Sequence, residues 1–330
     1  MSLLASWLAS PPPDAAIEIA PERVSAAVVA FRNGQFVVSS HASEPLAHGV
    51  VVPSLTSANV TDRNVVAGAL RLVIERLGTR PRRVALVIPD TAVKVSLVRF
   101  DHVPPRRDDL DQLVRWQVRK SAPFPMEEAS VSYTASSRGT DGSREFVVAM
   151  AREDVIREYE GICQSVGSYA GLVDAATLSL LNLFFASPKA PTGDWLLVHV
   201  RPEYTSIAIA RDADLIFYRN RAEGDEATLP DLVHQTAMYY EDRLAGQGFA
   251  RVLLAGGGGG NAGAMEAARH SLQDRLGVGV ETVAPTRVAA LTDRITASPD
   301  LMDALGPLVG MALRTQKQAL RTRREAVKKA

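Results

Sequence analysis

A single cysteine, Cys163, in 330 residues excludes an internal disulfide and fits a reducing compartment. With no His or Asn partner evident nearby, it reads as a small buried hydrophobe on a helix. The six histidines show no metal-ligand spacing, so no metal site is expected. Neither sign of charge is in excess, because Lys+Arg and Asp+Glu are both 37, and nothing global draws the chain to nucleic acid. No run reaches the roughly 18 apolar residues of a membrane span. The first residues place Leu3, Leu4, Trp7 and Leu8 at helical spacing before Pro11-Pro12-Pro13. Without a basic start or a longer apolar core this is no signal peptide, and it reads as a short amphipathic arm. What is present is the profile of a globular protein, 46% hydrophobic and 22% charged, long enough for two domains of similar size.

The chain is organised around Val252-Leu253-Leu254-Ala255, five glycines from Gly256 to Gly260, and an alanine-rich segment starting at Asn261. A short apolar run followed by glycine and then helical spacing predicts strand, turn and helix, with Asn261 as N-cap. Such a turn lies at the carboxyl edge of a strand, where ligands of α/β sheets gather.

Upstream, strands are expected over 16–19, 24–30 and 35–39, with Asn33-Gly34 as a hairpin signal. A helix follows from Thr61-Asp62 to Gly78, then a buried strand over 84–88. Residues 93–173 read as strand, helix, strand, strand, helix, strand, an inserted α+β unit. Strands over 195–200, 205–210 and 215–218 then echo residues 16–39, which predicts two domains of like topology. The expected boundaries are 1–15 for the arm, 16–92 with 174–190 for the first domain, and 191–313 for the second. Residues 314–330 form a basic tail, a solvated helix end whose Leu320, Ala326 and Val327 give only a thin apolar face for anionic lipid.

This order resembles the actin-like, Hsp70- and FtsA-type superfamily, a duplicated two-domain α/β fold with a small inserted α+β subdomain. More closely it resembles the PilM family of type IV pilus assembly proteins. The resemblance rests on Leu254-Ala255-Gly256-Gly257-Gly258, on Leu276-Gly277-Val278-Gly279-Val280-Glu281 with Ala284-Pro285, and on Gly310-Met311-Ala312-Leu313-Arg314. Val173-Asp174 before a helix and the Pro-Phe-Pro within 117–133 are similar too. It implies ATP with Mg²⁺ between the domains, bound through Glu18, Ala20, Arg23, Arg201, Thr205 and Gly256, Gly257, Gly258 and Gly259.

The departures fall on the phosphate loops. Where the family has Asp-Ile-Gly, this chain reads Glu18-Ile19-Ala20 in the first loop and His199-Val200-Arg201, followed by Pro202, in the second. Both glycines are gone, Pro21 and Pro202 lack an N–H, and Glu22 and Glu203 add negative charge. A pseudo-ATPase is therefore expected, with little or no hydrolysis and only the adenosine side left able to accept a base and ribose. His199 reads as a satisfied core histidine. The resemblance further implies a cytoplasmic protein, peripheral at an inner membrane, that binds the N-terminal tail of a PilN-like bitopic partner, with an assembly ATPase or itself as further partners. Trp116, Phe124 and Pro125 are the candidate contacts, since exposed or rigidly presented aromatics anchor peptides. Two alternatives stay open, an active ATPase or kinase of the superfamily and the cytoplasmic component of a type II secretion platform.

Overall fold

The computed structural model describes residues 13–138, 142–185, 192–222, 228–256, 262–292 and 295–328. The N-terminal arm up to residue 12 lies outside them. The first domain is built on β1 (Ala15–Ile19), which pairs antiparallel with β2 (Arg23–Arg32) and parallel with β4 (Arg83–Ile88). Flanked on both edges, β1 is buried along its length, as its apolar run demands. β2 returns through β3 (Gln35–Pro45), where Asn33 and Gly34 both have positive φ (51° and 81°), the backbone of a tight primed turn. The helix α1 (Arg63–Leu77) starts where predicted, with the Asp62 carboxylate accepting from the Asn64 and Val65 N–H groups, and Gly78 ends it.

The second domain repeats this plan with β9 (Asp194–Arg201), β10 (Tyr204–Arg211), β11 (Asp214–Ala222) and β12 (Arg251–Gly256). Its sheet runs β11-β10-β9-β12 and adds β13 (Val280–Thr282). The first runs β3-β2-β1-β4 and adds β8 (Tyr169–Ala175) in the equivalent place. The duplication read from the sequence is thus present strand for strand.

Between the two sheets lie α4 (Ala176–Phe185) and α7 (Pro299–Lys328), whose Leu180, Leu181, Leu305 and Val309 join Ala16 and Val87 of one sheet to Trp195 and Leu253 of the other. The two helices approach closely at Gly310, where a Cβ would stand 1.9 Å from the Ser179 carbonyl oxygen. α1 and α3 (Glu153–Ser165) cover the far face of the first sheet, and α5 (Leu229–Leu244) with α6 (Ala262–Leu276) cover that of the second.

Three expectations are corrected. Residues 153–173 do not sit with the inserted unit: β8 pairs with β4, and Val155, Tyr159 and Ile162 of α3 fill the first domain's core. The chain also crosses back after β13, because β14 (Ala289–Leu291) pairs parallel with β3 and completes the first sheet. Finally, the boundary expected at 313 falls inside α7, which continues to Lys328, since residues 314–328 contain no Gly or Pro and many strong helix formers. Among the described residues no helix is long and apolar enough to cross a membrane.

The inserted subdomain is β5 (Lys94–Phe100), α2 (Arg107–Val118), β6 (Ala129–Arg138) and β7 (Arg144–Arg152), with strand order β5-β7-β6. Its own core gathers Phe100, Val114, Val118, Phe146 and Met150.

Candidate functional site

The duplicated plan brings two hairpins face to face, the turn at 20–22 between β1 and β2 and the turn at 202–203 between β9 and β10. Their charged residues meet in one cluster. Arg201 donates to Glu18 at 3.2 Å, to Glu22 at 2.9 Å and to Asp303 of α7 at 2.9 Å. Arg23 donates to the same three carboxylates, at 3.4, 2.9 and 3.2 Å. Arg201 is from the second domain and Glu18, Glu22 and Arg23 are from the first, so the cluster ties the two halves. It is nearly dry: the Arg201 and Glu18 side chains are each 2% exposed.

Three carboxylates face two guanidinium groups, and the charges cannot all balance. Burial pushes the Glu18 carboxyl above its ordinary range despite Arg201 and Arg23. Burial opposes Asp303 as well, yet Arg201 and Arg23 outweigh it and hold its carboxyl below the usual range. A raised folded pKa gives stability that is full below the unfolded value of 4.5 and lost as pH rises through the folded one. The lowered Asp303 contributes above 3.8 and loses its contribution as pH falls through the folded value. Glu18→Gln is accordingly expected to flatten the decline in Tm from pH 4.5 upward, whereas Asp303→Asn is expected to lower Tm at neutral pH. Thermal melts across pH check this, and parallel profiles for wild type and Glu18→Gln would remove Glu18 as the strained carboxyl.

A second polar chain runs from the cluster into the middle layer. The Arg201 Nε always carries hydrogen and donates to His199 Nε2 at 3.0 Å, so the ring hydrogen of His199 sits on Nδ1, 2.7 Å from Thr177 Oγ1. Thr177 in turn donates through its hydroxyl and its backbone N–H to Asp90, which also accepts from Ser206 at 2.6 Å. His199 is therefore the satisfied core histidine that the sequence suggested. Asp90 and Thr177 belong to the first domain and its helix, His199 and Ser206 to the second. Asp303, Asp90 and Thr177 escaped the sequence reading. A signal existed for Asp303, which precedes Gly310 by seven residues on the buried stripe of α7.

Of the other sequence candidates, Ala20 is buried and its N–H is used inside the hairpin, bonded to the Arg23 carbonyl at 2.9 Å. Thr205 is the second residue of β10, opposite Val200 and Arg221, outside the cluster. Gly256 ends β12 at φ +104°, where a Cβ would stand 1.8 Å from the Val200 carbonyl oxygen, so only glycine is accommodated. Gly257, Gly258, Gly259 and the Asn261 cap lie outside the described residues. The residues that are described do not fit a magnesium nucleotide at these hairpins. A polyphosphate would meet three carboxylates there, with both guanidinium groups already committed and the Ala20 N–H turned inward.

In the inserted subdomain Trp116 is 65% exposed and Pro125 is exposed, but Phe124 is only 8% exposed and packs with Val114, Val118 and Phe146. Phe124 is corrected to a core residue, its ring turned in from the two flanking prolines to cover the sheet.

No curated protein matches the chain. Among solved structures, a PilM-PilN type IV pilus biogenesis complex matches with TM-score 0.78 at 17% identity, over 92% of this chain and 98% of that one. A Bacteroides thetaiotaomicron protein with an actin-like ATPase fold follows with TM-score 0.49 at 11% identity, over 88% and 94%. The cytoplasmic domain of Vibrio cholerae EpsL, an inner-membrane component of type II secretion, matches with TM-score 0.45 at 10% identity, over 92% and 94%. The duplicated sheets with two helices between them are the actin-like fold. A sequence profile of the type IV pilus assembly protein PilM matches residues 16–243, and the chain belongs to that family.

Proposed function

We propose that this protein is a cytoplasmic scaffold of a type IV pilus inner-membrane platform, holding the cytoplasmic N-terminal tail of a bitopic PilN-like partner on its inserted subdomain and turning over no nucleotide. What carries the reading is the charge cluster at the facing hairpins. It supplies from the protein itself the bridge between domains that a nucleotide provides in an active actin-like ATPase, and it commits both guanidinium groups of the described hairpins to carboxylates. Family membership and the PilM-PilN likeness support the partner, and the exposed Trp116 supports the location, since a large aromatic left in water on a helix is a ready anchor.

Affinity capture of the tagged full chain from detergent-solubilised inner membranes tests this. A bitopic protein with a short cytoplasmic tail is expected in the eluate, and deletion of that tail is expected to abolish capture. Trp116→Ala is expected to leave the melting temperature in place while weakening capture about tenfold or more, the effect of losing an aromatic hot spot. Phe124→Ala is expected to cost about 3 kcal/mol of stability and so reports on folding. Undiminished capture by a folded Trp116→Ala variant would move the docking surface elsewhere.

A further inference from the structure

A pocket of about 570 Å³ opens on the inner face of the second sheet, against β12 and β13. β12 begins at Arg251, opposite Trp195, and ends at Gly256, opposite Val200. The pocket is lined from β12 by Arg251 and Leu253, so it lies toward the end of the strand remote from the hairpins and their charge cluster. Its floor is Leu183 of α4, Leu253 and Val283, all buried in the middle layer. Phe184 joins them, its ring 5.2 Å from that of Trp195 between centroids and the Arg251 guanidinium 5.9 Å from its own centroid. Three parts of the chain meet there: the end of α4, the edge of the second sheet, and the segment through Val288 that carries the chain back to β14 in the first sheet.

The rim is charged, and its charges do not balance. The charged side chains that line the pocket are Arg251, Glu281 and Arg287. Glu281 accepts from Arg251 Nε and Nη2 at 2.9 and 3.0 Å and from Arg287 Nη1 at 2.7 Å. These bonds, that of Arg251 foremost, draw its carboxyl down to about 2, so it is an anion at neutral pH. One carboxylate between two guanidinium groups leaves a net positive charge. It also leaves Arg251 Nη1 and Arg287 Nη2 with no protein acceptor among the described residues. Guanidinium N–H groups in this state are the donors that suit a carboxylate. An apolar floor under a positive rim fits a hydrocarbon body with an anionic head. A neutral apolar ligand would give the rim no counter-charge, and a small hydrophilic anion would leave the floor uncovered.

We infer that this pocket binds a small amphipathic anion, an alkyl chain bearing a carboxylate, with the chain on Leu183, Leu253 and Val283 and the carboxylate at Arg251 and Arg287. The volume is that of a small-molecule site, for which about 300–1,000 Å³ is usual. Because its walls come from α4, the second sheet and the return segment, the bound molecule holds these three together and stabilises the whole fold by mass action. The site is separate from the inserted subdomain, and neither reading needs the other.

Calorimetric titration of the full chain with butanoate, hexanoate, octanoate and decanoate, each kept below the concentration at which it forms micelles, reads the apolar half of the site. Affinity is expected to rise by about fourfold per added methylene until the pocket is full, with the melting temperature rising alongside. Decanol and decyltrimethylammonium read the charged half, and each is expected to bind at least about tenfold more weakly than decanoate. Arg287 is exposed, so Arg287→Glu is expected to keep the melting temperature of the free protein. The same change is expected to weaken decanoate at least about tenfold and to turn the preference toward decyltrimethylammonium. Ala284→Phe, which fills the pocket from its half-buried wall, is expected to abolish binding of every chain length. Should that variant not fold, Arg287→Glu alone decides the matter. No binding of decanoate, equal binding of decanoate and decanol, or decanoate binding unchanged in Arg287→Glu would each overturn the inference, the last by placing the anion elsewhere on the molecule.

Discussion

Arg201→Ala is expected to destabilise the protein by about 3–5 kcal/mol, the cost of removing one partner from a buried ion pair. Arg201 alone bonds carboxylates on β1, on the first hairpin's turn and on α7 while also donating to His199. Its loss leaves Glu18, Glu22 and Asp303 facing Arg23 alone, in surroundings too dry to screen them. Arg201→Lys keeps the charge but not the planar fork, and is expected to recover only part of the deficit. The measurement is denaturant unfolding with the slope held in common. A change under about 1 kcal/mol would mean that the cluster does not tie the domains, and the case for a self-bridged cleft would go with it.

ATP with Mg²⁺ is expected to produce neither a calorimetric binding signal at millimolar concentrations nor phosphate release. Pro21 and Pro202 have no N–H to offer, and that of Ala20 is bonded within its hairpin. Each missing charge-assisted hydrogen bond is worth about 1.5–3 kcal/mol, and each 1.4 kcal/mol is about tenfold in affinity, so losing two or three removes several orders of magnitude. Adenosine and ATP are expected to behave alike, because at the described hairpins both guanidinium groups and the Ala20 N–H are already engaged. Micromolar binding with steady turnover that disappears in Glu18→Ala would restore the ATPase reading.

The duplication was legible because each half opens with alternating strands and a turn of recognisable chemistry, Asn33-Gly34 in one and Asp212-Ala213 in the other, where Asn33 and Asp212 do adopt positive φ. Helix α1 could be bounded to within two residues by Asp62 and Gly78. What failed was membership. β8 follows the inserted unit in sequence, while its hydrogen-bonded partner β4 lies some 80 residues earlier, a pairing no local pattern encodes. β14 has three residues, too few for periodicity to register. The charges at positions 18, 22, 23 and 201 were all visible, and pairing Arg23 and Arg201 with the glutamates was one option the sequence left open. Asp303 was missed because its partners are about 100 and 280 residues away. Phe124 misled because two prolines suggest display, and only the packing of the sheet reveals which way the ring turns.

The return of the chain to its first sheet governs how the molecule can be made. β14 joins β3 across some 250 residues, and α7 covers the face of β1, β2 and β4 that bears Ala16, Ala27 and Val87. A nascent chain that has emerged as far as α4 therefore holds an amino-terminal half with one open sheet edge and one apolar face covered by α4 but not yet by α7. That half waits for β14 and α7 to be synthesised, and contacts of such long sequence separation form slowly. The amino-terminal domain is thus completed only after the second domain's own sheet has been translated, and neither half is a unit that can be separated from the other by a cut between them.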